Sequence, residues 1–176
     1  MEPTVRRPRT LSFSLPPNDG FPAGNRVSEH CPPITRNAFQ TGAQPERMER
    51  RRISSGTEWE SRVGYSRAVR VGSQIHVSGT TATDDEGNVV GEGDPYEQTR
   101  RALANVEEAL GEADGSLADV VRTRMFVTDI DDWEAVGDAH GEYFGDIRPA
   151  TSMLEVSRLI DPKLLVEVEA VAVVDG

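Results

Sequence analysis

The spacing of apolar residues predicts an α+β protein in which two helices cover one face of a mixed β-sheet. Three observations support this fold class. Strand-like and helix-like segments follow one another in the order β-β-α-β-α-β-β. The last segment, residues 165–174, alternates with a period of two, as a strand requires. Asp94-Pro95 is a clear helix start. Together they predict a two-layer sandwich.

The first half of this region predicts a hairpin followed by a helix. Residues 68–71 and 75–80 are strand-like and are separated by a tight turn at Gly72-Ser73. An Asp N-cap, a Pro at the first helical position and a Glu at the third then start a helix at residues 94–97. The residues predicted to form its buried stripe are Thr99, Ala102, Leu103, Val106 and Leu110.

The second half predicts a strand, a helix and two closing strands. Residues 120–127 are rich in β-branched side chains, and Asp131-Asp132 cap the second helix. Residues 152–156 and 165–174 are the closing strands. The residues predicted to form the inward stripe of the second helix are Trp133, Val136, His140 and Phe144.

The two faces of the last strand lead to different expectations. Glu167 and Glu169 share one face, and carboxylates among apolar neighbours are costly unless they are paired or used. The other face is wholly apolar and is expected to lie away from the helices, so we expect the chain to associate with further copies through it. The residues of that apolar face are Val166, Val168, Ala170 and Ala172.

Charge divides the chain into two unequal parts. Residues 1–47 hold six Arg and four acids, whereas the whole chain of 176 residues carries a net charge of −11. The acidic remainder repels phosphate backbones, which argues against nucleic-acid binding. Lys163 is the only lysine among the 19 basic residues. An acidic, lysine-poor surface is typical of a salt-adapted protein, although a GC-rich genome that favours Arg codons explains the same bias.

Composition also bears on location and chain organisation. A stretch of about 18 apolar residues, as a membrane span needs, is absent from the sequence, and so is an apolar signal core, so the default location is cytoplasmic. Residues 1–50 hold eight of the eleven prolines and predict a disordered extension ahead of a domain at 51–176. Two alternatives stay open for the extension: a start codon assigned upstream of a true start at Met48, and a basic docking arm.

Five segments, in this order and at this spacing, resemble the Rid family of small proteins, also called YjgF/YER057c/UK114. They cover nearly all of the region after residue 64. The segments are Gly64-Tyr65-Ser66-Arg67-Ala68-Val69, Ile75-His76-Val77-Ser78-Gly79, the helical Gln98 to Val106, Asp119 to Asp129, and the two closing strands.

The resemblance implies a chorismate-mutase-like fold and a homotrimer with a ligand cleft between each pair of neighbouring subunits. It also implies hydrolysis of reactive enamines and imines to keto acids and ammonia, without a cofactor. In the archetypal members, a Glu on the last strand positions the attacking water. An Arg directly after Pro-Ala binds the substrate carboxylate, and the Ser-Gly and the Tyr line the pocket.

Carried over to this chain, the resemblance implies Glu167 as the catalytic residue. The pocket residues that match the family are Tyr65, Ser78, Gly79 and Ser152, while Met153 occupies a position where many members have Cys. Thr151 is the departure, because it stands where the family has its Arg. A hydroxyl does not reproduce a bidentate, charge-assisted pair with a carboxylate.

A second cation could restore anion binding. Arg124 is the first candidate because the strand places it on the same side as Phe126, with Arg67 and Arg148 as rivals. Each residue also has a structural interpretation: Arg124 as a solvated strand residue, Glu167 as an interface residue, Tyr65 as a core aromatic, and Thr151 as a small strand-start residue.

Two functions therefore stay open at the level of sequence. One is a hydrolase of an enamine, imine or related small carbonyl-nitrogen compound, and the other is a non-catalytic trimer that binds a small metabolite in the same cleft. A metal site is not expected, because His76 and His140 are isolated and Cys31 is the only cysteine.

Overall fold

The computed structural model describes residues 48–175, which contain three α-helices and six strands joined in one sheet. Two short 3-10 turns, Leu117–Asp119 and Ile130–Asp132, precede β4 and α3. In chain order the elements are β1 (Arg50–Ile53), α1 (Glu58–Val63), β2 (Ala68–Val71), β3 (Gln74–Thr81), α2 (Pro95–Glu112), β4 (Val120–Val127), α3 (Trp133–Phe144), β5 (Ala150–Glu155) and β6 (Val166–Val173).

The sheet is mixed, as predicted. Its strand order is β1-β2-β3-β6-β4-β5, and every neighbouring pair is antiparallel except β4 and β5, which are parallel. β1 and α1 were not predicted, and β1 begins at Arg50, inside the segment expected to be disordered. The rest of that segment, residues 1–47, lies outside the described residues, as do the expectations of a docking arm or a later start.

Helix α2 begins where its sequence signals predict. The Asp94 side chain accepts hydrogen bonds from the backbone N–H groups of Tyr96 (3.0 Å) and Glu97 (3.1 Å), and Pro95 occupies the first turn. All five residues of the predicted stripe are buried, together with Gln98 and Ala109. Gln98 is satisfied by the backbone: its amide donates to Lys163 O at 2.8 Å, and its carbonyl accepts from Leu165 N at 2.7 Å.

Helix α3 follows its prediction with one exception. Val136 and Phe144 are buried, and His140 is half-buried with its ring 4.7 Å from that of Phe144. Trp133 was predicted to face inward, but 56% of it is exposed. It is the first residue of α3, and burial starts one turn later at Val136.

The two faces of the sheet are the reverse of the sequence expectation. Val166, Val168, Ala170 and Ala172 are buried in the same core cluster as the apolar residues of α2 and α3. The apolar face of β6 is therefore the one the helices cover, and the reason given for association through it was wrong.

The opposite, open face of the sheet carries Glu167 and Glu169, and strand register places both charged and apolar residues beside them. Val173 and Leu154, on this face, are 45% and 44% exposed. We refer to it below as the open face. Within residues 48–175, no helix is both long enough and apolar enough to cross a membrane.

Candidate functional site

Glu167 lies on the open face of β6, where Thr81 of β3 and Phe126 of β4 flank it in register. Its carboxylate rests against the backbone of Gly79. A Cβ atom built on Gly79 would overlap Glu167 Oε1 and crowd Glu167 Cδ at 2.8 Å. Gly79 is therefore the residue that leaves room for the carboxylate at this position.

An irregularity in β3 brings Gly79 to Glu167. The pairing of β3 with β6 shifts register between Val77 and Thr80, so that Ser78 and Gly79 form a bulge. The Ser78 hydroxyl donates to Ser66 O at 2.8 Å, and Ser78 N donates to Arg67 O at 3.0 Å. The bulge is thus held by the segment that leads into β2.

The Glu167 carboxylate has no ionic or hydrogen-bonding partner within residues 48–175. Its side chain is half-buried, and burial raises the pKa of the Glu167 carboxyl above its usual range. The neighbouring charge of Glu169 raises this pKa further, while Arg67 opposes the shift. A half-buried carboxylate with free lone pairs and a pKa above its usual range is a stronger base than an ordinary carboxylate, as general-base catalysis requires.

Arg67 contacts the bulge at the carbonyl of Gly79. Its Nη1 donates to Gly79 O at 2.9 Å and to Thr80 Oγ1 at 3.1 Å, and its Cζ lies 5.9 Å from the centre of the Tyr65 ring. Tyr65 is half-buried, and its backbone N–H donates to Glu60 O at 3.1 Å. Arg67 therefore joins Tyr65 to the bulge and places a positive charge near Glu167.

Arg124 lies on the same open face, one row from Glu167. Its Nη2 is 2.6 Å from Oε2 of Glu169, so the two form an ion pair. The pair lines a depression of about 280 Å³ together with Ser78 and His76. Arg124 is 49% exposed at its side chain, and its charge is already engaged by Glu169.

The three predicted residues of β5 do not share one face. Parallel register pairs Thr151 with Thr123 and Met153 with Met125, both on the helix-covered side, whereas Ser152 pairs with Arg124 on the open face. β4 separates β5 from β6 in the sheet. Within one chain, Thr151 and Met153 therefore do not belong to the same surface as Glu167.

Thr151 is exposed at its side chain but is connected to the interior. Its hydroxyl donates to Pro149 O at 3.1 Å and lies 2.9 Å from the Thr123 hydroxyl. Thr123 is fully buried, and its Oγ1 is 3.0 Å from His140 Nε2. Burial lowers the pKa of the His140 imidazole below its usual range.

The structure thus groups the candidates into two sets. Tyr65, Ser78, Gly79 and Glu167 come together around Arg67, and Arg124 and Ser152 share their face. The remaining candidates, Thr151 and Met153, lie on the other side of the sheet at the β5 edge. Sequence reasoning missed that Thr123 and His140 are the partners of Thr151. The only signal for this contact is the parallel register of β4 and β5, which no local pattern specifies.

Among residues 48–175, no group of three His, Cys, Asp or Glu side chains is placed to hold a metal ion. The polar groups that the site presents are the Glu167 carboxylate, the backbone and hydroxyl of the bulge, and the guanidinium groups of Arg67 and Arg124.

Comparison with known proteins agrees with this fold and these motifs. A family model described as Endoribonuclease L-PSP matches residues 56–174. A crystal structure of Rv2704 from Mycobacterium tuberculosis, a member of the YjgF/YER057c/UK114 family, is 55% identical with a TM-score of 0.66; the match covers 72% of this chain and 100% of that one. The chain is also 43% identical over 122 residues to the uncharacterized protein SCO2049 of Streptomyces coelicolor, which covers 69% of this chain and 90% of that protein.

A further relative is named for an activity. The 3-aminoacrylate deaminase RutC of Acinetobacter baylyi is 36% identical over 108 residues, which covers 61% of this chain and 85% of that protein. The family match spans well over half of the chain and agrees with the α+β fold. The chain belongs to the YjgF/RidA family.

Proposed function

We propose that this protein is a RidA-like hydrolase that releases ammonia from a reactive enamine, imine or related small carbonyl-nitrogen compound. The observation that carries the proposal is the Glu167 carboxylate, half-buried against Gly79, without a partner in the described residues and with a raised pKa. The relative named 3-aminoacrylate deaminase supports the same reaction class. No cofactor is needed for this chemistry.

In the proposed reaction, Glu167 accepts a proton from a water molecule as the water oxygen bonds to the imine carbon. The carbon–nitrogen π electrons move to nitrogen, which takes this proton back from Glu167, and a neutral carbinolamine results. Glu167 then accepts the proton of the carbinolamine hydroxyl and passes it to nitrogen as the carbonyl forms and the carbon–nitrogen bond breaks, so that ammonia leaves and Glu167 is again a carboxylate. A carboxyl with a raised pKa suits both steps because its proton affinity lies nearer that of the reacting groups.

The direct test compares Glu167→Gln with Glu169→Gln. Purified proteins are given imines with a carboxylate, generated in the assay by an amino-acid oxidase, and imines without one, generated by a flavin amine oxidase, and ammonia release is followed. We expect Glu167→Gln to lose activity by about a hundredfold or more, the contribution typical of a general base. Glu169→Gln, which removes a carboxylate from the same strand face, is expected to keep most of it. Equal activity of wild type and Glu167→Gln would contradict the proposal.

We also propose that the working form is a homotrimer in which a ligand cleft joins the Glu167 group of one copy to the β5 edge of a neighbour. The support is that β4 separates these groups within one chain and that exposed Leu154 and Val173 lie on the open face. Sedimentation equilibrium is expected to give three times the chain mass. A monomer at micromolar concentration would contradict the cleft.

A second function is favoured by one residue. Thr151 replaces the Arg that binds the substrate carboxylate in archetypal members, so the cleft could hold a small metabolite without turning it over. In that case wild type is silent in the ammonia assay, whereas Thr151→Arg gains activity. Activity in wild type that disappears in Glu167→Gln supports the hydrolase instead.

We propose a cytoplasmic, salt-rich setting for the protein. The support is the net charge of −11 with a single lysine, which keeps a surface hydrated at high salt. The midpoint of thermal unfolding is expected to rise from dilute buffer to molar KCl. A fall over the same range would favour codon bias as the source of the composition.

A further inference from the structure

In the hydrogen bonds that connect Thr151 to the interior, the donor and acceptor of each contact follow from those of the next. A carbonyl oxygen only accepts, so the contact between Thr151 Oγ1 and Pro149 O at 3.1 Å uses the single hydrogen of the Thr151 hydroxyl. The contact of 2.9 Å between Thr151 Oγ1 and Thr123 Oγ1 must then use the hydrogen of Thr123. The contact of 3.0 Å between Thr123 Oγ1 and His140 Nε2 is left to a hydrogen on Nε2.

The reverse direction leaves one contact without a hydrogen. If His140 Nε2 accepts from Thr123, the Thr151 hydrogen must serve both the Thr123 hydroxyl and Pro149 O. If that hydrogen serves Pro149 O, the fully buried Thr123 Oγ1 receives none, and if it serves Thr123, Pro149 O is left to solvent, because its contact with Thr151 is exposed. The outward direction, in which His140 donates to Thr123, Thr123 to Thr151 and Thr151 to Pro149, satisfies all three contacts.

His140 has the surroundings to hold this direction. Its half-buried ring lies against Phe144, and burial alone lowers its pKa, so no charged group of the described residues contributes to the shift. Both the neutral form with hydrogen on Nε2 and the protonated form donate to Thr123. The direction of the chain is therefore the same whether or not His140 carries a charge.

We infer that Thr151 is a hydrogen-bond acceptor toward the ligand and that the β5 edge selects a ligand group bearing N–H or O–H in place of a carboxylate. Thr151 is exposed, and with its hydrogen given to Pro149 and one lone pair taken by Thr123, its free lone pair is what remains for a ligand. This inference rests on the proposed function in taking the β5 edge as part of the ligand site. It adds the substrate class: a neutral carbonyl-nitrogen compound, such as a carboxamide.

The first part of the experiment reads the hydrogen-bond direction in the intact protein. The ¹⁵N and ¹³C shifts of the imidazole rings distinguish the two tautomers, and the chain has three histidines, of which His140 is assigned by its loss in His140→Gln. We expect hydrogen on Nε2 of His140 in wild type and loss of this preference in Thr123→Val. Hydrogen on Nδ1 with an unprotonated Nε2 in wild type would overturn the inference.

The second part reads ligand preference with pyruvamide and pyruvate, which share a keto group and differ in carboxamide against carboxylate. Binding is followed by NMR shift titration, which needs no turnover. We expect wild type to bind pyruvamide about tenfold more tightly, a ratio of the size expected from one matched hydrogen bond and one mismatch. Thr151→Ser keeps the hydroxyl and should keep the preference, whereas Thr151→Val should bring the ratio near one.

Equal affinity, a preference for pyruvate, or binding of neither compound by wild type overturns the inference, as does a preference that survives in Thr151→Val. These outcomes are separable from failure of the proposed function. A carboxamide preference in a protein that releases no ammonia removes the hydrolase and leaves the acceptor site in place. Ammonia release that depends on Glu167, with no carboxamide preference, removes the acceptor site and leaves the hydrolase in place.

Discussion

The group around Glu167 and the chain that ends at Thr151 satisfy their polar atoms in opposite ways. Glu167 is half-buried and has no partner within residues 48–175, and both its burial and the charge of Glu169 oppose its ionisation. In the Thr151 chain, each of three polar side chains has a partner at 2.9–3.1 Å. An unpaired carboxylate costs stability but is available to react, whereas a complete chain is stable and fixes the direction of its last hydroxyl.

The largest expected effect comes from Gly79→Ala, which changes the Glu167 group alone. Gly79 does not have a positive φ angle, so alanine fits the backbone there, but the alanine Cβ would overlap Glu167 Oε1. The Glu167 side chain can move away at little cost in stability. We expect ammonia release to fall by about a hundredfold, as for loss of a general base, with thermal unfolding nearly unchanged. Full activity in this variant would show that the carboxylate need not rest on Gly79.

Among substitutions in the two regions, Thr123→Val is expected to lower the free energy of unfolding most. Valine fills the same buried volume but leaves the His140 Nε2–H without an acceptor, at a cost of about 1–3 kcal/mol in the free energy of unfolding. Thr123→Ser keeps the hydroxyl and is the control. Ser78→Ala in the Glu167 group should cost less, because Ser78 is only half-buried and water can replace its hydrogen bond to Ser66 O. Urea unfolding compares the three, and equal costs would contradict the account.

The two regions were also not equally predictable. The resemblance placed Tyr65, Ser78, Gly79 and Glu167 in one site because these residues lie in short strings just before β2 and on β3 and β6, and these three strands are neighbours in the sheet. The contact of Thr151 with Thr123 depends on which strand β5 joins and in which register, and a short strand pattern carries neither. The faces of β6 were assigned wrongly for a similar reason: alternation separates two faces but does not say which one the helices cover.

The change in the free energy of unfolding with pH is expected to have opposite signs for Glu167 and for His140. The folded-state pKa of Glu167 is raised above the ordinary 4.5, so wild type loses stability relative to Glu167→Gln as pH rises from below 4.5 through the raised pKa. The folded-state pKa of His140 is lowered below 6.5, so wild type loses stability relative to His140→Gln as pH falls from 6.5 through the lowered pKa. We expect both effects to be smaller than that of Thr123→Val. Urea unfolding across pH measures them, and slopes of the same sign would contradict the assignment.

The protonation of the Glu167 carboxyl decides whether it can act as the base, and a ¹³C NMR titration of its Cδ, assigned by its loss in Glu167→Gln, measures it. We expect a midpoint above 4.5 that falls in Glu169→Gln, where a repelling charge is removed, and rises in Arg67→Gln, where an attracting charge is removed. A midpoint at or below 4.5 that neither substitution moves would mean that Glu167 is paired, and it would contradict its role as the base.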